Sequence, residues 1–389
     1  MTTVNEPIPF AGPFAGAGQL AEKPVGTAPA VATEDSPLSS IYCPVIAAIH
    51  PQAGELNEAT LAWVRDRGLI ADPARLRHLE RQAPGLLAAR VVPRADMERL
   101  LAFADFHTWL FAFDDEYCDE DSPSALPPGA WMAFLARMLR QAETPTRTVL
   151  KGNAYADALH DIATRLDRWC TGEQKARWTA ALRTYFAALV WERQTRLDGE
   201  HGVRQSLDDY VLLRLQNGAM HSSIALLDAT EGYVLPAEQR ERPEVRALIE
   251  MTATLVSWDN DIFSWSKERE RGSAAEQNLL DVLATDAPAV PSGTGHEEAL
   301  RQAVALRNGV MDMFLRVSEG ITPTANPELL RFIASLGQWV RANLDFSLTT
   351  ARYVDPSRSV NPAAWEQRRD ATHTANPLAF EALSWWGAL

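Results

Sequence analysis

Between about residue 41 and residue 353 the apolar residues recur at intervals of three and four, the spacing that returns side chains to one face of an α-helix. Nine stretches carry the pattern: 55–68, 97–117, 128–141, 155–169, 173–196, 207–230, 243–270, 299–320 and 328–353. Capping residues, Pro or Gly separate them, and no alternation of strand type interrupts them. The chain is therefore expected to be all-α, a single helical domain over residues 39–353 with no internal repeat. Residues 1–38, rich in Ala, Pro, Gly and Thr without periodicity, read as a disordered low-complexity arm. Residues 285–298 read as a surface loop and 354–389 as an irregular tail.

Two helices break the ordinary amphipathic picture. In SWDNDIFSWSKERERG, residues 257–272, Asn260, Ser264 and Glu268 are spaced four apart and face the same way, an amide, a hydroxyl and a carboxylate in one row. Hard oxygen donors in a row suit Mg²⁺, although three such residues alone also describe a solvated polar face. The second departure is FAFDDEYCDED, residues 111–121, where a heavily apolar helix ends in carboxylates. If the helix continues as α, Asp115 and Asp119 are i, i+4 neighbours and Asp114 lies about 100° round from Asp115. Such crowding is costly unless a cation neutralises it. The order of acids does not match an EF-hand loop, which leaves a solvated helix end as the alternative.

Composition narrows the function further. The 389 residues are 46% hydrophobic, enough for a large core, and the net charge of −14 excludes a partner that needs a basic face, either nucleic acid or an anionic membrane. An anionic substrate would need local cations or metal. Cys43, Cys118 and Cys170 are far apart, odd in number and without CxxC spacing, which fits a reducing compartment and no structural zinc. The longest apolar stretch, LLAFADFHTWLFAF, is broken by Asp105 and His107, and no basic and apolar leader opens the chain. A cytoplasmic protein, monomer or homodimer, is expected.

With both acidic and amide-hydroxyl motifs in one helical chain, the sequence resembles the bacterial class I terpene cyclases. The motifs stand as Asp114-Asp115-x-x-x-Asp119 and Asn260-Asp261-x-x-Ser264-x-x-x-Glu268, joined by RLQNG at 214–218 and by Arg352-Tyr353. The likeness is strongest to sesquiterpene cyclases of the selinadiene synthase type, through the IHP opening, WLF before the Asp pair, WDNDIFS and a terminal SWW. It implies the class I isoprenoid synthase bundle around a central cavity, three Mg²⁺ ions, and farnesyl diphosphate cyclised to a sesquiterpene. Geranyl or geranylgeranyl diphosphate are alternative substrates, and a non-catalytic helical protein that binds divalent cations is the alternative of another class. A chain-elongating prenyltransferase would carry a second aspartate-rich motif where this chain has Asn-Ser-Glu.

The resemblance also assigns roles. Asp114, Asn260, Ser264 and Glu268 are expected to bind metal, with Asp115 and Asp119 as supporting acids. Arg214, Lys267, Arg352 and Tyr353 are the expected diphosphate donors. Arg214 would sense the diphosphate, Asn217 would link it onward, and the Gly218 carbonyl would act as effector at a helix break. Two departures are visible: Asn217 stands where the likeness has Asp, and Phe346 where the family commonly has Trp. Phe111, Trp191, Trp339 and Phe346 are candidate cavity aromatics, because ring faces stabilise a carbocation without offering a nucleophile. Each also suits ordinary core packing, as His107 and Cys118 do. Trp385 and Trp386 belong to a tail that is a candidate lid over the cavity.

Overall fold

The computed structural model describes residues 37–118, 126–144, 146, 148–270, 278–286, 295–350, 365 and 374–389, without the side chains of 266–270, 286 and 296. Nearly all of the arm at 1–38 and most of the stretch 351–373 thus lie outside the described residues. Among the described residues the regular elements are helices: α1 (Ala53–Asp66), α2 (Pro73–Gln82), α3 (Pro84–Val91), α4 (Met97–Phe113), α5 (Pro128–Glu143), α6 (Ala154–Leu166), α7 (Gly172–Glu200), α8 (Leu207–Asn217), α9 (Met220–Ile224), α10 (Leu227–Thr230), α11 (Ala237–Arg240), α12 (Pro243–Glu270), α13 (Leu279–Asp286), α14 (Gly295–Ile321) and α15 (Pro327–Thr349). None is long and apolar enough to cross a membrane.

Local chemistry sets many of the starts. Asp96, Asn153, Ser206 and Asn326 each accept a hydrogen bond from the N–H three residues on, at 3.1, 2.9, 3.1 and 2.8 Å. Thr171 and Gln174 close a reciprocal capping box at α7. Four helices were not anticipated, one of them the single turn α11. α2 is polar and buries only Leu79 and Gln82, so its apolar period is faint, although Asp72 caps the N–H of Ala74 and Pro73 opens it. α3 and α13 have eight residues each, too few to separate from another buried apolar run.

The core is one cluster that α4 and α12 traverse. In α12 every residue from Val256 to Ser264 except Asn260 is buried. This helix packs on α14 and α15, and Asp259 on it meets Arg307 of α14 with both side chains wholly excluded from solvent. Arg307 Nε donates to Asp259 Oδ1 at 2.9 Å, and its Nη1 donates to the carbonyl of Tyr42. Asn308 beside it accepts from the Tyr42 N–H at 2.9 Å and donates to Ser40 O at 2.7 Å. The segment around residues 38–45 is thereby strapped across α14, and Trp365 closes the strap by donating to Leu38 O at 3.0 Å.

The end of the chain is docked as well. Trp385 and Trp386 both donate to Glu250 Oε2 on α12, at 2.9 and 3.0 Å, and Trp386 is buried. Glu250, which anchors both, lies ten positions before Asn260, about 15 Å along the helix axis.

Candidate active site

α4, α7, the α8–α9 junction, α12 and α15 surround a cavity whose lining includes Phe111, Asp114, Arg214, Asn260, Trp339 and Phe346. Both halves of the expected metal site reach it from different helices. Asp114 begins a five-residue π-turn, Asp114–Cys118, that continues α4. The expectation of an α-helical end is therefore corrected: a π-turn closes a larger ring, so Asp114 and Asp115 sit closer round the axis than 100°. Two arginines hold this wider turn by its carbonyls, Arg75 donating to Asp115 O at 2.5 Å and Arg196 to Cys118 O at 2.6 Å. Asp114 lines the cavity, Asp115 is not among the lining residues, and Asp119 lies outside the described residues.

On α12, Asn260 faces the cavity and Ser264 lies one turn on, 3% exposed, its Oγ without a hydrogen-bond partner among the described residues. The helix runs on through Lys267 and Glu268, whose side chains lie outside the described residues, as do Arg352 and Tyr353. Among the described residues no three His, Cys, Asp or Glu side chains gather as a metal cluster. Of the expected donors, the Asp114 carboxylate and the Asn260 amide oxygen line the cavity, and the Ser264 hydroxyl is orphaned one turn further along α12. These are hard oxygens, and a buried hydroxyl without a partner costs free energy that a cation would recover. The residues present fit a hard divalent ion.

Arg214, at the end of α8, binds α12 through several contacts. Its Nε donates to Asp261 Oδ1 at 2.9 Å, its Nη2 to Asn260 Oδ1 at 2.8 Å and to Ser257 O at 3.3 Å, and its Nη1 to Asn217 Oδ1 at 3.2 Å. Burial alone would weaken the guanidinium's hold on its proton, but the Asp261 carboxylate, with Tyr210 and Glu192, outweighs it and the net shift is upward. Asp261 stands in the motif without a role assigned from the sequence. It is 4% exposed and also accepts from the Tyr210 hydroxyl at 2.6 Å. Its partner lies 47 residues away, and only the two folded helices bring them together. The neutral amide of Asn217, where the likeness has Asp, accepts from Arg214 through its Oδ1.

α8 does break after Asn217, but the left-handed residue is Ala219, at φ 57°, rather than Gly218, at φ −76°. Gly218 instead lies close against α12. A Cβ there would sit 2.7 Å from Ser257 Oγ on α12, inside van der Waals contact. Gly218→Ala is expected to turn the Ser257 hydroxyl away from the break and to lower the rate of diphosphate release by roughly tenfold, about 1.4 kcal/mol in the barrier. Wild-type kinetics in this variant would show that the close approach has no part in turnover.

The aromatic residues divide. Phe111 and Phe346 stack across the cavity wall with centroids 6.2 Å apart and planes 9° from parallel, and Trp339 lines the cavity beside His107. Trp191 is a correction: it is half-buried on α7 and is not among the lining residues. Tyr185 is the α7 residue that lines the cavity, and six positions at 100° each carry Trp191 well round the helix from it. Tyr185, Ser223 and Asn343 also line it without having been anticipated.

Comparison with known proteins agrees with this geometry. Residues 105–312 match the family model "Terpene synthase family 2, C-terminal metal binding". A Streptomyces clavuligerus protein named (+)-T-muurolol synthase, (2E,6E)-farnesyl diphosphate cyclizing, is 50% identical over 89% of this chain and 81% of its own length. A germacradien-6-ol synthase of Streptomyces pratensis is 32% identical over 90% of this chain and 97% of its own. Among solved structures, the SVS_A2 protein from ancestral sequence reconstruction superposes with a TM-score of 0.74 at 26% identity, covering 89% of this chain and 97% of that one. The all-helical bundle, the paired motifs at one cavity and the matched length together identify the chain as a member of terpene synthase family 2.

Proposed function

We propose that this enzyme ionises and cyclises farnesyl diphosphate to a sesquiterpene, releasing diphosphate, with three Mg²⁺ ions bound between Asp114 and the Asn260-Ser264-Glu268 row. The observation that carries this reading is one cavity with two chemistries. Asp114, Arg214 and Asn260 supply its polar groups, and Phe111, Trp339 and Phe346 supply apolar ring faces. The naming of the 50% identical relative as farnesyl diphosphate cyclizing supports the choice of substrate. When bound, the metal would act as a Lewis acid toward the diphosphate oxygens.

The chain's own residues perform the rest. Arg214, held charged by Asp261, offers guanidinium donors to the diphosphate, and Lys267, Arg352 and Tyr353 are assigned to the same anion. Arg214 also touches Asn260, Asn217 and the Ser257 carbonyl, so a shift of its guanidinium toward a bound anion is felt at the α8–α9 break. The aromatic walls keep water from the cation and stabilise its charge by roughly 0.5–2 kcal/mol per ring.

Incubation with geranyl, farnesyl and geranylgeranyl diphosphate and Mg²⁺, followed by mass spectrometry of volatiles and diphosphate measurement, is expected to yield cyclic C15 products with farnesyl diphosphate as the preferred substrate. Faster turnover of either other substrate would overturn the substrate assignment. Absence of diphosphate release from all three would overturn catalysis itself.

A further inference from the structure

Two turns before Asp114, and so about 10 Å away along α4, a hydrogen-bonded trio forms part of the cavity wall: His107, Ser223 and Trp339. His107 Nδ1 is 2.8 Å from Phe103 O, and its Nε2 is 2.8 Å from Ser223 Oγ. A carbonyl can only accept, so Nδ1 carries the ring proton, and in the neutral imidazole Nε2 must then accept from the Ser223 hydroxyl. Trp339 Nε1, which can only donate, lies 2.9 Å from the same Oγ. The serine oxygen therefore donates once and accepts once, which leaves one lone pair in a wall otherwise rich in apolar groups.

We propose that Ser223 and His107 form the proton acceptor that ends the reaction. The inference rests on the cyclase reading above. In this step a C–H bond beside the cationic carbon breaks and its electron pair becomes the new C=C bond of the product. The proton bonds to Ser223 Oγ as the hydroxyl's own proton passes to His107 Nε2. The cation becomes a neutral hydrocarbon and the imidazole an imidazolium, so the positive charge is conserved and no other reactant is consumed.

The surroundings suit a base that acts once and resets. Burial lowers the His107 pKa to about 4, which keeps the ring neutral and accepting before reaction. A proton beside a carbocation is far more acidic than any imidazolium, so even a weakened imidazole takes it. The rings of Phe103, Phe106 and Trp339, with centroids 4.2, 5.7 and 5.8 Å from that of His107, surround the transient charge. The same burial makes the imidazolium release its proton once water enters.

The test compares Ser223→Ala, Ser223→Thr and His107→Asn with wild type, using farnesyl diphosphate and Mg²⁺ and reading diphosphate release and product shares separately. Ser223→Ala is expected to keep diphosphate release within about threefold of wild type, because ionisation occurs at the other end of the cavity. The share of the main product should fall at least fivefold in favour of other alkenes or alcohols. Ser223→Thr, which keeps the hydroxyl, should restore that share, and His107→Asn, which keeps only a weak acceptor for it, should fall between. Unchanged shares in Ser223→Ala and His107→Asn, or equal losses in the Ala and Thr variants, would overturn the proposal while leaving the cyclase reading standing. A wild-type enzyme that releases no diphosphate from any prenyl substrate would overturn both.

Discussion

Asn260→Ala is expected to abolish cyclisation, lowering diphosphate release at least about a hundredfold, with the helical circular dichroism spectrum and unfolding midpoint close to wild type. The magnitude follows from two losses in one substitution. Replacing groups that merely orient a metal ligand costs 10- to 100-fold in affinity or activity, and a ligand itself should cost no less. Arg214 also loses its 2.8 Å acceptor, so its guanidinium is less firmly set. The fold should survive, because Asn260 is only half-buried while its neighbours carry the packing. Asn260→Asp keeps an oxygen in place and should retain part of the activity. A folded alanine variant with near-normal turnover would remove Asn260 from the metal site.

The largest effect on stability is expected from Arg307→Met. This substitution leaves Asp259 as a lone carboxylate with no exposure to solvent, and breaking a buried pair from one side costs about 3–5 kcal/mol. It also removes the donor to Tyr42 O that helps strap the N-terminal segment to α14. The double variant Asp259→Leu with Arg307→Met should recover most of that loss, because no charge then remains buried. Urea denaturation of the three proteins checks this. If the single variant matched wild type, or the double variant were no more stable than the single, the pair would not be what fixes α12 to α14.

How much of this was legible in sequence depended on how local the signal was. α12 was bounded at 243–270 from its pattern alone, and its polar row was read from i, i+4 spacing, because both are properties of one helix. The break near Gly218 was visible, since Gly is a poor helix former. That Ala219 takes the left-handed backbone while Gly218 lies close against Ser257 was not, because the reason lies on another helix. The tie of Asp261 to Arg214 and the His107–Ser223–Trp339 trio stayed hidden for the same cause: the partners are 47 and 116 residues apart. Trp191 was misplaced because an aromatic residue announces burial without saying which side of a long helix is wet. The π-turn at Asp114 depends on Arg75 and Arg196 gripping its carbonyls, and no spacing rule encodes that.

The burial of α12 from Val256 to Ser264 bears on how such an enzyme can be redesigned. A helix that meets solvent offers substitutions that are nearly free. Here Ser257 abuts the break, Asp259 carries the buried pair, Asp261 holds Arg214, and Trp258, Ile262 and Phe263 fill the core. A saturation library over this window should consist mostly of dead or unfolded clones on every face of the helix. Variants with new product profiles should come instead from Phe111, Met220 and Phe346, whose side chains shape the cavity without carrying any of those ties.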